Sequence, residues 1–584
     1  MSKLNSNMKI EKTLLATIIV CFILLTHIIT ASAFVGFKGN NEEEIVNKYK
    51  LYSTGWSQIS GDGFGSSLNS ATRGMAIYNN ELYIGTTNLD LDKVFNIEKF
   101  DLNELIELII EENQQSFPTG YYLQNSQMIS LEEQILLNIA QQEKTNTENT
   151  ILNQGQEIDN ANEKINNVDF TGSSNTPSTP ITLPNIFTII FHLLSKSSNG
   201  CEIWKYNHTT KTLSQVVGEN SIVGMNSGFN YKYNFDASVM EVFNGKLYVG
   251  TWNTGLGSLG NPSRKGCEIW RFDGETWEQV VGHNQPIKGG FGNCNNIGAW
   301  SIKEFNGYLY IGTMHWGYNN NAGCQIWRSQ DGEDWEKVVD RGFKPFMSQQ
   351  DLNNLVSNSY AWCMEEYQGK LYVGTFNSRM FCFRGWGGQL WQTEDGVDWD
   401  KISLPGGDGF GEKQNYGIRK MAIYNNELYV GLAASILHDE GLEIWKFDGS
   451  DWDCVIGDNI QGTQPGDVLY DGFGDSLNKY VWSMCPTSDN KLFVGTGNVK
   501  LYLNLNYDHE GCEVWCLEDD SVKPIVKSFT NPPAEKDSGF GSVTNIGARS
   551  MIEYPVGSGN IVIGTLKFEG IGEPQKGCEL WIRT

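Results

Sequence analysis

Short apolar segments recur along this chain and alternate with polar turns at nearly regular intervals. One segment reads Leu-Tyr-Val-Gly-Thr at 247–251, and a second reads Gly-Cys-Glu-Ile-Trp at 266–270. With small variations, the first recurs from Leu82, Leu247, Leu309, Leu371, Leu428, Leu492 and Ile561, and the second from Gly200, Gly266, Gly323, Gly387, Gly441, Gly511 and Gly577. Recurrence of strand-like segments at this spacing is typical of repeat arrays and propellers.

The repeat at 289–339 predicts four short antiparallel strands. Residues 299–305 and 308–313 flank Asn306-Gly307, two residues that tolerate the positive φ of a tight hairpin turn. Residues 324–329 and 335–339 flank a second tight turn at Asp331-Gly332. Four strands in a meander form one blade of a β-propeller.

The two ends of the chain predict how the ring closes. Residues 56–60 match a fourth strand but precede every complete repeat, and the last repeat stops after its third strand. We therefore predict an all-β fold over residues 55–584, a seven-bladed β-propeller of four-stranded antiparallel blades. The N-terminal strand would pair with the last blade, so that one strand from one end and three from the other complete it.

Loop lengths predict which face of the propeller carries function. The turns between first and second strands, and most turns between third and fourth strands, are short. All long loops would lie on the opposite face, which we expect to be the functional one. The longest, the insertion at 88–199 within the first blade, has amphipathic segments that favour helices at 102–112 and 131–142 and a polar, Pro-containing segment that favours disorder. The insertion would be a lid, a partner-binding arm or a tolerated surface elaboration.

The N-terminal segment and the charge limit location and partners. Residues 1–33 combine three lysines, an apolar run and Ala-Ser-Ala, which is typical of a signal peptide, and residues 34–54 would be a linker. An uncleaved membrane anchor is the alternative, because the apolar run is long for a signal. Either interpretation predicts a secreted or cell-surface protein. The net charge of −26 argues against a nucleic-acid partner.

Cysteines and acidic loops give no sign of a metal or cofactor. Five cysteines share one repeat position, where we expect small buried apolar residues rather than disulfides, and no CxxC spacing suggests zinc. Asp62, Asp408 and Asp471 adjoin Gly-Phe-Gly loops, but an oxygen-ligated cation needs several converging ligands. We predict no metal and no cofactor.

The first strand of every repeat starts at an asparagine, which we interpret as a structural turn residue. Four residues later the repeats stop being uniform. That position is occupied by Arg73, Ser238, Trp300, Trp362, Arg419, Trp482 and Arg549. Since first strands line the channel of a propeller, the arginines and tryptophans predict a site for a ligand with anionic groups and a flat apolar face. The alternative is that these side chains pack between blades.

A second group of candidates ends the second strands. Asn253, Asn377 and Asn498 follow Gly-Thr-x, and Trp252 and Trp316 are neighbouring residues that could stack on a ligand. These side chains would lie on the long-loop face and add hydrogen bonds or stacking to the same site.

The turns at 329–335 and 393–399 resemble the Asp-box of sialidase-like propellers, one residue shorter than the usual pattern. The chain also resembles kelch-like and other exported propeller-repeat proteins of unknown function. The sialidase resemblance implies that Arg73, Arg419 and Arg549 would hold a substrate carboxylate. Two departures oppose this resemblance. Seven blades are predicted instead of six, and the sequence shows no recognisable Tyr/Glu nucleophile pair and no Asp that would act as the catalytic acid.

These observations leave three functional hypotheses. The first is an exported binding module for a glycan or protein ligand, without catalysis. The second is a glycosidase or lyase that acts on an acidic sugar, and the third is a structural protein of the cell envelope. A carboxylate with a raised pKa beside the arginines would favour the enzyme.

Overall fold

The protein is described by a computed structural model over residues 55–90, 198–253, 266–315, 323–343, 358–379, 384–436, 438–499, 511–519, 521–569 and 574–584. The predicted signal segment, the linker and nearly all of the insertion lie outside these ranges. Within them the fold is all-β, as the sequence predicts, and no α-helix occurs.

The strands fall into recurrent sets of up to four. The first strands are β2 (Asn69–Tyr78), β6 (Asn234–Phe243), β10 (Asn296–Phe305), β14 (Tyr360–Tyr367), β20 (Asn415–Tyr424), β24 (Asn478–Thr487) and β28 (Asn545–Glu553). The second strands are β3 (Glu81–Asn88), β7 (Lys246–Asn253), β11 (Tyr308–His315), β15 (Lys370–Phe376), β21 (Glu427–Ala434), β25 (Lys491–Asn498) and β29 (Ile561–Lys567).

The third strands are β4 (Ile203–Asn207), β8 (Ile269–Phe272), β12 (Ile326–Ser329), β18 (Leu390–Thr393), β22 (Ile444–Phe447), β26 (Val514–Glu518) and β30 (Leu580–Arg583). The outer strands are β1 (Trp56–Gln58), β5 (Thr212–Val217), β9 (Trp277–Val281), β13 (Glu336–Val339), β19 (Asp400–Lys401), β23 (Trp452–Ile456) and β27 (Ser521–Val526). Strands β16 (Ser378–Arg379) and β17 (Arg384–Gly385) form a separate hairpin.

The first and second strands form a closed ring of 14 strands. Each first strand pairs antiparallel with the second strand that follows it, and a single residue pair then joins each second strand to the next first strand. Leu566 of β29 pairs with Ala71 of β2, which closes the ring. The ring order of the first strands is therefore β2, β6, β10, β14, β20, β24, β28 and back to β2.

The chain termini meet in one antiparallel pair. In β1, Trp56 and Gln58 pair with Arg583 and Trp581 of β30. The Glu535 carboxylate accepts hydrogen bonds from Trp56 Nε1 at 3.1 Å, and from Arg583 Nε and Nη2 at 2.7 and 2.6 Å. One carboxylate thus ties both ends of the described chain to the loop after β27.

A buried hydrogen-bond network explains why the same residue types recur in each set. Asn234, at the start of β6, donates to the Gly228 carbonyl at 3.0 Å and to Glu268 Oε2 at 2.7 Å. Thr251 Oγ1 donates to Asn234 Oδ1, and Trp270 Nε1 donates to Glu268 Oε2, both at 3.1 Å. The network joins the first, second and third strands of one set, so the interpretation of the leading asparagines as structural agrees with their contacts.

The loop before each first strand depends on a close approach of two glycines. A Cβ on Gly200 would lie 2.7 Å from the Gly228 nitrogen, and Gly228 itself has a φ of 61°. Beyond Gly228, Phe229 stacks on Trp270 with ring centroids 4.8 Å apart. The remaining apolar core lies between neighbouring sets of strands, where residues such as Tyr78 and Leu247 are buried.

Two further findings concern the described residues alone. None of their helices is long and apolar enough to cross a membrane. Their cysteines are all free thiols, and those at the shared repeat position, Cys201, Cys267, Cys324, Cys512 and Cys578, are buried.

Candidate functional site

A β-bulge places the non-uniform residue of each repeat. In β10 the pairing steps from Ala299–Thr313 to Ser301–Gly312, so Trp300 is the extra residue of the bulge. The same register shift recurs in all the first strands. A bulge re-aims the side chain it carries, and here it turns these side chains toward the channel enclosed by the ring. We call them the ring residues: Arg73, Ser238, Trp300, Trp362, Arg419, Trp482 and Arg549.

The ring arginines stack on the ring tryptophans. The Arg73 guanidinium carbon lies 4.6 Å from the ring centroid of Trp300. Arg419 lies 4.9 Å from the centroid of Trp362, and Arg549 lies 5.0 Å from that of Trp482. Such cation–π contacts hold the guanidinium planes in place and leave their edges free to donate hydrogen bonds.

Arg73 differs from the other two arginines because it has an internal counter-ion. Its Nε lies 3.0 Å from Asp236 Oδ2, and the two side chains are 7% and 1% exposed. Thr87 Oγ1 also donates to this carboxylate, at 3.1 Å. The contacts of Arg73 therefore agree with the alternative interpretation of the ring residues, in which their side chains pack against neighbouring strands and do not bind a ligand.

The ring residues and the residues that directly follow them line a cavity of about 270 Å³. Arg419, Lys420 and Arg549 contribute cationic groups to its wall. Among the described residues no carboxylate lies within ion-pair distance of these three cations. A buried charge without a partner is costly, so the cavity is suited to an anion that would neutralise it.

Arg419 remains charged at neutral pH although it is buried among other cations. Burial and the nearby charge of Arg73 lower the pKa of Arg419 to about 9. Burial and the adjacent Arg419 also lower the pKa of Lys420. The chain as a whole has a net charge of −26, so its composition does not explain why positively charged side chains cluster in this cavity.

Two carboxylates occupy the other part of the cavity wall. Glu365 forms an ion pair with Lys303 at 2.5 Å. Burial raises the pKa of Glu241 to about 7, an effect that Lys303 opposes and Glu365 strengthens. The Glu241 carboxyl group can therefore exchange a proton near neutral pH.

Glycines on the neighbouring first strands make room for two of the tryptophans. A Cβ on Gly417 would lie 2.1 Å from Trp362, and a Cβ on Gly547 would lie 1.7 Å from Trp482. The indole nitrogen of Trp362 is buried and has no acceptor within the described part of the chain. Trp362 itself is part of the cavity lining.

A continuous belt of aromatic rings lies on the N-terminal side of the ring residues. Trp252 packs edge-on against Trp300 at 4.9 Å, and Tyr360 lies 5.4 Å from Trp300. The belt continues through Phe376 to Tyr416, 5.0 Å apart. The cavity lining starts at the ring residues and extends toward the C-terminal ends of the first strands, where the short turns are. The cavity thus lies away from the long-loop face, where the loop lengths predict the site, and that prediction is not supported by the cavity lining.

The candidates at the ends of the second strands do not line the cavity. Asn253 and Asn498 donate to the leading asparagines of their own sets at 2.9 and 3.1 Å. Asn377 donates to the Gly387 carbonyl at 3.1 Å, and Trp252 belongs to the aromatic belt. Trp316 lies outside the described residues.

The site also contains residues that the repeat pattern does not single out. Lys420, Glu241 and Lys303 line the cavity but follow the ring residues by one or three positions. Their signal in the sequence was a charged residue within an otherwise apolar first strand. In the described ranges, no group of His, Cys, Asp and Glu side chains is arranged to hold a metal ion.

Comparisons with known proteins add little to this picture. No protein-family model and no curated protein matches the chain. An α-L-arabinanase from Penicillium chrysogenum complexed with arabinobiose is 12% identical, with a TM-score of 0.34 over 59% of this chain and 91% of that one. An α-L-arabinofuranosidase from Fusarium graminearum is 14% identical, with a TM-score of 0.32 over 59% and 91%. A Dyadobacter fermentans protein of unknown function is 12% identical, with a TM-score of 0.32 over 58% and 92%. Similarities at these TM-scores support no inference about this chain.

Proposed function

We propose that this protein is an exported, seven-bladed β-propeller that binds one acidic sugar unit of a glycan in its central cavity. In this proposal each set of four strands is a blade, and β1 completes the blade of β28, β29 and β30. The pairing of Trp56 with Arg583 supports that closure. Export is inferred from the composition of residues 1–33.

The observation that carries the proposal is the set of unpaired cations in the cavity. Arg419 and Arg549 are held on tryptophans with their edges available, and guanidinium groups bind carboxylates through paired hydrogen bonds. Trp482, which lies between them in ring order, also lines the cavity. A volume of about 270 Å³ lies below the range of roughly 300–1,000 Å³ usual for drug-sized ligands. A single sugar acid is therefore favoured over a long glycan segment or a protein surface.

The second candidate is turnover of the same acidic sugar by a glycosidase or lyase. Glu241, with a pKa of about 7, supports it because a carboxyl group poised near neutral pH can donate or accept a proton. Glu241 has the raised pKa expected of a catalytic carboxyl group, but it lies across the channel from Arg419 and not beside it.

The test is a glycan-array screen with the wild-type protein and the Arg419→Gln/Arg549→Gln variant. Arg328→Gln is the matched control, because Arg328 lies on a third strand and pairs with the exposed Glu336. We expect binding to glycans with uronic or sialic acid ends, lost in the double variant and kept in the control. Binding that the double variant retains would overturn the proposal. Release of a sugar from a bound glycan, abolished by Glu241→Gln, would establish the second candidate.

A further inference from the structure

The unpaired cations of the cavity and Glu241 lie on different strands of the ring. Arg419 and Lys420 lie on β20 and Arg549 lies on β28, whereas Glu241 lies on β6. In ring order, β6 is three first strands away from β20 in one direction and three away from β24 in the other. Glu241 therefore lies across the channel from Arg419 and Lys420.

The charges are also separated along the channel. The unpaired cations Arg419, Lys420 and Arg549 occupy the ring position or the next one. Glu241 and the ion pair of Lys303 with Glu365 follow the ring residues of their strands by three positions. At about 3.3 Å per residue, three positions correspond to roughly 10 Å along a strand. The carboxylates thus lie nearer to the end of the channel with the short turns.

The two ends of the channel also differ, because one end is aromatic and the other is acidic. The aromatic belt, with Tyr360 and Tyr416 buried, lies beyond the cations. Past the carboxylates, Glu304 and Glu366 are the next residues of β10 and β14, and both are exposed. This acidic rim would repel the anionic end of a ligand and accept hydrogen bonds from hydroxyl groups.

We infer that the cavity is bipolar: it holds the carboxylate of a sugar acid at Arg419, Lys420 and Arg549, and Glu241 accepts hydrogen bonds from the sugar hydroxyls, so that the rest of a glycan leaves through the short-turn end. This inference rests on the proposed function and adds the orientation of the ligand. It makes Glu241 the residue that distinguishes a polyhydroxylated acid from a simple carboxylic acid.

The experiment is isothermal titration with matched probes. D-Glucuronate, D-galacturonate and N-acetylneuraminate carry both a carboxylate and hydroxyl groups, cyclohexanecarboxylate carries a carboxylate on a bare ring, and D-glucose carries hydroxyls alone. Each is titrated into the wild-type protein, Glu241→Ala, Arg549→Gln and the control Glu336→Gln, whose side chain is exposed on the outer strand β13. Circular dichroism verifies that every variant is folded.

We expect at least one sugar acid to bind the wild-type protein about tenfold or more tightly than cyclohexanecarboxylate and D-glucose, as hydrogen bonds to charged groups imply. Glu241→Ala should abolish the preference over cyclohexanecarboxylate but keep the preference over D-glucose, and Arg549→Gln should do the reverse. If Glu241→Ala weakens sugar acid and cyclohexanecarboxylate equally, the bipolar arrangement is wrong although the anion site stands. If no carboxylate binds, or if Arg549→Gln has no effect on those that do, the proposed function itself fails.

Discussion

Replacement of Asp236 by asparagine is the sharpest test of the claim that Arg73 is a structural member of the ring. The Asp236 carboxylate lies 3.0 Å from Arg73 Nε and accepts a hydrogen bond from Thr87 Oγ1. Both charged side chains are almost fully buried. The substitution keeps the shape of the side chain but leaves the guanidinium without its counter-ion.

Removal of one partner of a buried ion pair usually costs about 3–5 kcal/mol. The carbonyl oxygen of the introduced amide would still accept a hydrogen bond from Arg73, so we expect the lower end, a loss of about 3 kcal/mol in the free energy of unfolding. The assay is urea-induced unfolding followed by tryptophan fluorescence, with the slope m unchanged from the wild type. The midpoint should move to a clearly lower urea concentration.

The matched control is the double variant Arg73→Met/Asp236→Asn, which removes both charges. Because replacement of a buried pair by neutral side chains is often nearly neutral, it should recover most of the loss. An Asp236→Asn protein within about 0.5 kcal/mol of the wild type would refute the reasoning. So would a double variant that is less stable than either single variant.

Three further predictions follow from the geometry. Glu535→Gln removes the carboxylate charge that binds both chain ends. We expect urea unfolding to show a loss of about 1–2 kcal/mol in unfolding free energy. Hydrogen exchange should show faster amide exchange at Trp56–Gln58. Glu241 has a folded pKa of about 7, above its usual value of 4.5, so the folded state holds an extra proton between these values. Stability should therefore fall as the pH rises from about 4.5 to 7 and level off above, and Glu241→Gln should lose this component in unfolding curves across that range. Gly547→Ala places a methyl group against Trp482, so we expect a loss of about 1–3 kcal/mol and an altered near-ultraviolet circular dichroism spectrum.

Much of the fold could be predicted from the sequence because each repeat carries its own structural chemistry. Asn234, Thr251, Glu268 and Trp270 belong to the recurring segments, and they meet in one buried hydrogen-bond network. A residue type that must complete such a network in every set cannot vary, which makes it visible as a repeat. The ring residues vary from repeat to repeat, and this variation distinguishes them from the structural positions.

The site was less predictable because its contacts depend on ring geometry. The sequence placed Arg73, Arg419 and Arg549 at equivalent positions, but only the fold brings Asp236 to Arg73 and leaves the other two unpaired. Neither the bulge that aims the ring residues nor the aromatic belt that covers one end of the channel has a spacing signature. The expectation of a site on the long-loop face came from loop lengths alone, and loop lengths say nothing about what fills the channel.

The measurement that tests the central claim most directly is a crystal structure of the protein soaked with D-glucuronate. The account predicts a sugar ring in the cavity beside Trp482, with its carboxylate at hydrogen-bond distance, about 2.7–2.9 Å, from Arg419 or Arg549. It also predicts hydroxyl groups directed toward Glu241. A cavity that holds only water while the sugar acid occupies a site on the long-loop face would contradict it.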